Sequence, residues 1–385
     1  MPSYEDELAQ IVAQLNRAAP ASRATRPDTA QSTATLDQLL VYAVRRSASD
    51  VLLIAGAPVI LRVNGAVTPV AGPMLNAEDT RNLLLPLLAP SQYEELQRSK
   101  SVDLCFTRDG IGRFRGNIHH QRGTLAGSIR LLPEKIPTLE SLHLPVSLKR
   151  LAEARQGLIL ITGPTGCGKS STLAALLDLI NTQRRGHIVT IEDPVEFVHA
   201  NRNSIIEQIE VGHDTPDFAS SVRGILRQTP DVILVGEMRD PETMSTVLTA
   251  AETGHLVLST LHTNDTSQAV SRILDSFPAG NQPQIRQQLS LALLAIIAQQ
   301  LIPSADETSR YPAVEVMVAT HAVRNLIRRG EDHQLYSAIG TGRSEGMITM
   351  EQSLADLVRA GRIGRDTALA HCFRSEDLRH LWNML

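Results

Sequence analysis

Cysteine is scarce in this chain, and what there is lies scattered. Cys105, Cys167 and Cys372 are the three in 385 residues. An odd number at such spacing forms no disulfide framework and no C-x-x-C metal site, so a reducing cytosol is the expected setting. Charge of one sign is lacking too. A net charge of -4 leaves no basic field to attract nucleic acid, and none is expected as a partner. Long hydrophobic runs are also missing. The greasiest segment, Leu289 to Ile302, is too short and too rich in Gln to span a bilayer. The opening residues, MPSYEDELAQ, are acidic and lack the basic-then-apolar build of a signal peptide. No direct membrane insertion is expected; any membrane association comes through a partner. Aromatics are sparse at 3%, and no internal repeat is visible.

What remains is ordinary globular material, 42% apolar, in a chain long enough for two or three domains. Residues 1 to about 17 align Leu8, Ile11, Val12 and Leu15 as one short amphipathic helix. Residues 18 to 35 are small and polar and read as disordered, so 1–35 is set apart as an extension. A first α+β domain is expected over 36–133. It opens with a helix from Asp37 to Arg46 and continues as strands, with Asn64-Gly65 as a hairpin turn. Proline-bearing residues 134–145 read as a linker. Over 146–340, strands Leu158–Thr162, Ile188–Ile191, Val232–Val235 and Leu256–Thr260 alternate with helices, which predicts a parallel sheet covered on both faces. Beyond Gln268 the pattern predicts helix, including a segment around Ile285–Ile302, and 341–385 is a helical C-terminal region.

The most informative stretch is Gly157 to Leu177. Its apolar strand breaks into Gly163-Pro164-Thr165-Gly166-Cys167-Gly168-Lys169-Ser170, which fits G-x-x-x-x-G-K-[ST], and a helix follows. The glycines let successive N–H groups converge on one nest, and the helix points its positive end at the same place. Lys169 adds a mobile charge for the terminal phosphates, while the Ser170 hydroxyl is a hard oxygen suited to Mg²⁺. Gly163, Thr165, Gly166, Cys167, Gly168, Lys169, Ser170 and Ser171 are therefore the candidate nucleotide-binding residues, with ATP and Mg²⁺ as cofactors.

Hydrolysis also needs carboxylates. Glu192-Asp193-Pro194-Val195-Glu196 and Gly236-Glu237 each follow an apolar strand directly, and ligands bind at the carboxyl ends of parallel strands. Taken singly, such acids are loop residues or helix caps; their shared position points them at the phosphate nest. His255 and His262 bracket a further strand and are candidates to sense the γ-phosphate, whereas His119 and His120 are read as structural.

Four ordered segments, ITGPTGCGKSSTLAALL, HIVTIEDPVEFVH, LRQTPDVILVGEMRDPET and AAETGHLVLSTLHTN, resemble the Walker A, Asp box, Walker B and His box of the secretion ATPases. With AVRNLIRRG at Ala322–Gly330 and the HQLYSAIGTG that follows, the resemblance narrows to the type IV pilus retraction ATPases, the PilT and PilU group, over roughly Leu36 to Leu357. That resemblance implies a PAS-like α+β N-terminal domain and a RecA-like ATPase domain with ATP between them. It also implies a cytoplasmic homohexamer beneath the inner membrane, acting on a pilus platform protein and, through it, on pilin. Carried over by position, Glu196 activates water, Glu237 supports the metal alongside Ser170, and His255 and His262 form the His box. Arg113, Arg115 and Arg130 aim at the phosphates, and Arg122 aligns more loosely with them. Departures from the pattern are Cys167 at a position usually Ser, Leu52 at one commonly His, and the extension 1–35. A thiol at a helix N-terminus is a candidate for a lowered pKa and for alkylation. The runner-up reading is an ATPase of a related secretion or conjugation system. A regulatory nucleotide-binding ring and a small-molecule kinase are the readings from other classes. Val323, Leu326 and Ile327 of the Ala322–Gly330 helix are expected inward, and Arg324, Arg328 and Arg329 outward.

Overall fold

The computed structural model describes residues 35–63, 65–306 and 308–383. The expected helix over 1–17, nearly all of the stretch 18–35, and Asn64 of the hairpin turn lie outside them. Thr35, the last residue of that stretch, is described, and it forms a capping box with Gln38 at the start of helix Leu36–Arg45.

The first sheet holds six antiparallel strands: β1 (Asp50–Ile54), β2 (Ile60–Val63), β3 (Ala66–Pro69), β4 (Ser101–Arg108), β5 (Gly112–Gln121) and β6 (Thr124–Leu132). Their order is β3-β2-β1-β6-β5-β4. The period of two divides the strands cleanly. Val51, Leu53, Leu104, Phe114, Ile118 and Ile129 pack with Leu40 and Leu84 of two helices into one core. The cross-strand pairs Asp50↔Arg130, Arg115↔Arg130 and Cys105↔Arg115 therefore stand on the opposite face. Arg122 and Gly123, both at positive φ, turn β5 into β6, which places Arg122 at an exposed hairpin tip.

The second sheet has seven strands: β7 (Gly157–Thr162), β8 (His187–Glu192), β9 (Ile205–Glu210), β10 (Val232–Val235), β11 (Leu256–Leu261), β12 (Leu293–Pro303) and β13 (Arg310–Val318). Their order is β13-β12-β7-β11-β10-β8-β9. All neighbours are parallel except β12 and β13. Every residue of β7 is buried, with Leu158 and Leu160 in the core on one face and Ile159 and Ile161 in the core on the other. Helix Lys169–Gln183 covers one face through Leu173, Leu176, Leu177 and Ile180. Leu139 and Leu144, within the stretch read as a linker, are buried in that same core.

The helical expectation for Ile285–Ile302 is half wrong. Helix Gln282–Ala292 stops and the chain continues without a loop into β12. An unbroken apolar run fits a buried strand as well as a buried helix, and here the open edge of β7 decides between them. β13 then adds an antiparallel edge, on which Val316 pairs with Ile348 and the Ser353 hydroxyl accepts from the Val314 N–H. The last helices close over Ile302 and Ala313 through Met350, Leu354, Ala368 and Leu378.

Helix His321–Arg329 buries Val323 and Ile327 as its pattern requires, but Arg324 does not face solvent as expected. Its guanidinium donates to the carbonyls of Ser290 (2.7 Å) and Leu291 at the end of helix Gln282–Ala292, and to that of Ala319 (2.8 Å). Arg286 answers from that helix by donating to the Ile327 carbonyl at 2.8 Å and pairing with Asp332. Each helix thus has its negative end satisfied by a cation of the other. Arg286→Ala and Arg324→Ala are each expected to destabilise the protein by about 1.5–3 kcal/mol, the worth of hydrogen bonds to a charged group. A lowered midpoint in urea unfolding checks this, and an unchanged midpoint for both would refute it.

Candidate active site

The phosphate-binding loop leaves the end of β7 with no room for a side chain at its first glycine. A Cβ on Gly163, at φ +146°, would sit 2.2 Å from the Gln299 carbonyl oxygen and 2.7 Å from the Cys167 sulfur. Gly168, at φ +93°, is the N-cap of the following helix. The Lys169 ammonium curls over the loop and donates to the carbonyls of Gly163 at 2.8 Å and Pro164 at 3.1 Å. Burial draws its pKa below the usual lysine range, while Cys167, Glu237 and Glu196 act in the opposite sense. Thr165 and Gly166 are exposed at the loop tip; Ser170 and Ser171 begin the helix.

The shared register sets the ends of three neighbouring strands beside this loop. Glu237 follows β10, and its carboxylate pairs with Arg239 and lies 3.4 Å from His262 Nε2. His262 follows β11, and its Nδ1 is 3.5 Å from the Lys169 ammonium. Its loop is tied to the end of β7, since the Thr162 hydroxyl donates to the Thr263 carbonyl (2.6 Å) and accepts from the Thr263 N–H (2.9 Å). Glu196 follows β8 and contributes to the electrostatic field at Lys169. The structure therefore brings Lys169, Glu237 and His262 together, and the Glu196 charge is felt at Lys169.

His255 is a correction. It stands at the opposite end of β11 from the phosphate loop, since Leu256 pairs with Gly157 at the start of β7. Its ring nitrogen bonds the Ala250 carbonyl at 3.0 Å. A six-residue strand at about 3.3 Å per residue separates it from the phosphate loop, so it cannot sense a γ-phosphate directly. The expected alkylation of Cys167 is a second correction. The thiol is only 3% exposed, and burial raises its pKa despite the helix N-terminus and Lys169.

Arg113 crosses between the two sheets. It donates to the Val195 carbonyl and, at 3.0 Å, to Glu210, which in turn accepts the Val195 N–H at 3.0 Å. The peptide groups on either side of Val195 are clamped immediately before Glu196. Arg130 instead bonds Asp50 at 3.0 Å within the first sheet, and Arg115 stands beside it in register. Cys105 lies close to Arg113, Arg115 and Glu210, and burial together with Glu210 pushes its thiol up to about 11.

Three supporting residues were missed in the sequence. Gln208 of β9 donates to Glu192 (3.0 Å) and to the Phe197 carbonyl (2.9 Å) and accepts from the His199 N–H (2.8 Å), spanning the loop that carries Glu196. Glu192 is held with its pKa raised, chiefly by burial. Glu210 is the second, and Gln299 of β12, on the Cys167 carbonyl, is the third. Their one signal is weak strand alternation in IIEQIE and in the run read as helix.

Residues 134–361 match the family described as type II/IV secretion system protein. The chain belongs to that family. It is 41% identical over 343 residues to the type IV pilus ATPase PilU of Pseudomonas aeruginosa, covering 89% of this chain and 90% of the relative. To the type IV pilus retraction ATPase PilT of the same organism it is 42% identical over 333 residues, 86% of this chain and 96% of the relative. In three dimensions it resembles the crystal structure of the pilus retraction motor PilT with bound ADP, with a TM-score of 0.85 at 41% identity over 90% of this chain and 100% of that one. That structure shares the mixed α/β architecture described above.

Buried and raised in pKa, Cys167 is expected to resist alkylation. In the folded protein at pH 7.5, mass spectrometry after a maleimide pulse finds it unmodified over a time in which a free thiol reacts completely. Rapid labelling would contradict the burial.

Proposed function

We propose that this ATPase is the hexameric motor that powers type IV pilus retraction, and with it twitching motility. Support comes from the convergence of Lys169, Glu237 and His262, with the Glu196 charge felt at Lys169, in a chain whose relatives of near-equal length are named a type IV pilus ATPase and a type IV pilus retraction ATPase. Lys169 holds the terminal phosphates as a point charge within the N–H nest of Gly166 to Ser171. Glu196 accepts the proton of the attacking water or orients it. The donor set also fits Mg²⁺, because the Ser170 hydroxyl and the Glu237 carboxylate are hard oxygens and Glu237 is only 12% exposed. When bound, that ion supplies charge to steady the phosphate oxygens. His262 spans Glu237 and Lys169, so a change at the phosphates is felt at the loop after β11.

Arg113 carries the consequence to the first sheet. The resemblance aims it at the phosphates, but here its guanidinium is held by the Val195 carbonyl and Glu210, so in this reading it acts on hydrolysis through the loop that carries Glu196, and Arg130 stays on Asp50. The remaining assignments are a homohexamer at the cytoplasmic face of the inner membrane, a platform protein on which it acts, and pilin returned to the membrane through that platform. No helix among the described residues is long and apolar enough to cross a membrane.

Glu196→Gln is the deciding variant. It is expected to keep ADP and ATP binding while losing hydrolysis by about 10²–10⁴, the usual worth of a general base. In a deletion strain that has pili but no twitching, it should fail to restore twitching. Complementation by this variant would sink the motor reading, and loss of secretion in place of twitching would favour the related export ATPases. Arg113→Ala is expected to depress hydrolysis much more than binding, as a residue acting on the transition state does. Equal losses would reduce it to a binding contact.

A further inference from the structure

We propose that Gln299 is a positioning residue of the nucleotide site: its side-chain amide sets the peptide plane between Cys167 and Gly168 so that the Gly168 N–H faces the phosphates. The inference rests on reading that loop as a nucleotide cradle. It starts from register. Ala298 pairs with Thr162, so Gln299 lies alongside Gly163, where the chain leaves β7. Its amide nitrogen donates to the Cys167 carbonyl at 2.7 Å, and its amide oxygen accepts the Thr172 hydroxyl at 2.8 Å. The residue is 3% exposed and Thr172 is fully buried, so neither bond is shared with bulk water.

A planar trans peptide fixes the direction of the next N–H. The carbonyl of one residue and the N–H of the following one point to opposite sides of the chain. With the Cys167 carbonyl held inward by Gln299, the Gly168 N–H is turned outward, to the open side of the loop. Gly168 also lets the amide come close, since a Cβ there would lie 2.8 Å from Gln299 Nε2. The two ends of the amide cannot be exchanged, because that would set its oxygen against the Cys167 carbonyl oxygen. Without this anchor the peptide is free to rotate, and one dipole of the nest is no longer aimed. No covalent or direct phosphate contact is required of Gln299.

A carboxylic acid at this position separates positioning from packing. Ionised, the side chain of Gln299→Glu cannot donate to the Cys167 carbonyl and repels it. Protonated, it donates there and still accepts from Thr172. Its ADP affinity relative to wild type should therefore rise as pH falls through the introduced carboxyl's pKa. The ionisable groups around this loop, Cys167, Lys169, Glu196, Glu237 and His262, are present in both proteins, so the ratio reports the substitution. Gln299→Leu, which can do neither, should weaken ADP binding by roughly tenfold at every pH, the effect of one lost buried hydrogen bond. Thr172→Val, which removes only the partner of the amide oxygen, should weaken it less. The measurement is calorimetric titration of the full chain with ADP from pH 6 to 9. A flat Gln299→Glu ratio, or Gln299→Leu binding as tightly as wild type, overturns the proposal. Failure of the wild-type chain to bind ADP would instead overturn the reading of the loop itself.

Discussion

Parallel pairing in a common register is the constraint on which this protein's chemistry depends. Thr162 lies level with Leu261, and Val235 level with Ser259 and Ile191, so β7, β11, β10 and β8 end at one edge. Whatever residue follows each strand is delivered to that edge regardless of its distance in sequence. The loop after β7 brings Lys169, and the loops after β8, β10 and β11 bring Glu196, Glu237 and His262. No single segment holds enough charge to handle a triphosphate. The sheet assembles it, and burial on both faces keeps the strands from slipping, because a one-residue slip would exchange the residues of the two cores.

That logic also marks how far the sequence could be read. The four strands that empty into the site are short apolar runs flanked by glycine or acid, and these local signals locate them and their trailing loops. The order of strands in space leaves no such local mark. His255 and His262 flank β11 equally in sequence, yet parallel pairing puts six residues of strand between them, and His262 alone meets Lys169 and Glu237. β12 was legible as apolar but not as strand, because its period is masked by the run Leu293–Ala298 and its identity depends on the free edge of β7. With β12 misread, Gln299 could not be placed beside the loop. Residues that act on a site through another element are the hardest to see from sequence, since their partners are far away along the chain.

Electrostatics at the site follow from the same burial. The Lys169 ammonium is partly stripped of water, which disfavours its charge, and the carboxylates of Glu237 and Glu196 offset that cost. Glu192, deeper and held by Thr190 and Gln208, goes the other way and favours its neutral form. Glu192 thereby serves the loop as a structural acid, held from within by Thr190 and Gln208.

The grip of Arg113 on the backbone ahead of Glu196 has a mechanical corollary. One guanidinium bonds both the Val195 carbonyl and Glu210, so tilting the first sheet away from the second strains the backbone directly ahead of Glu196. Any movement between the two halves of the subunit is thereby transmitted to the loop that carries this acid.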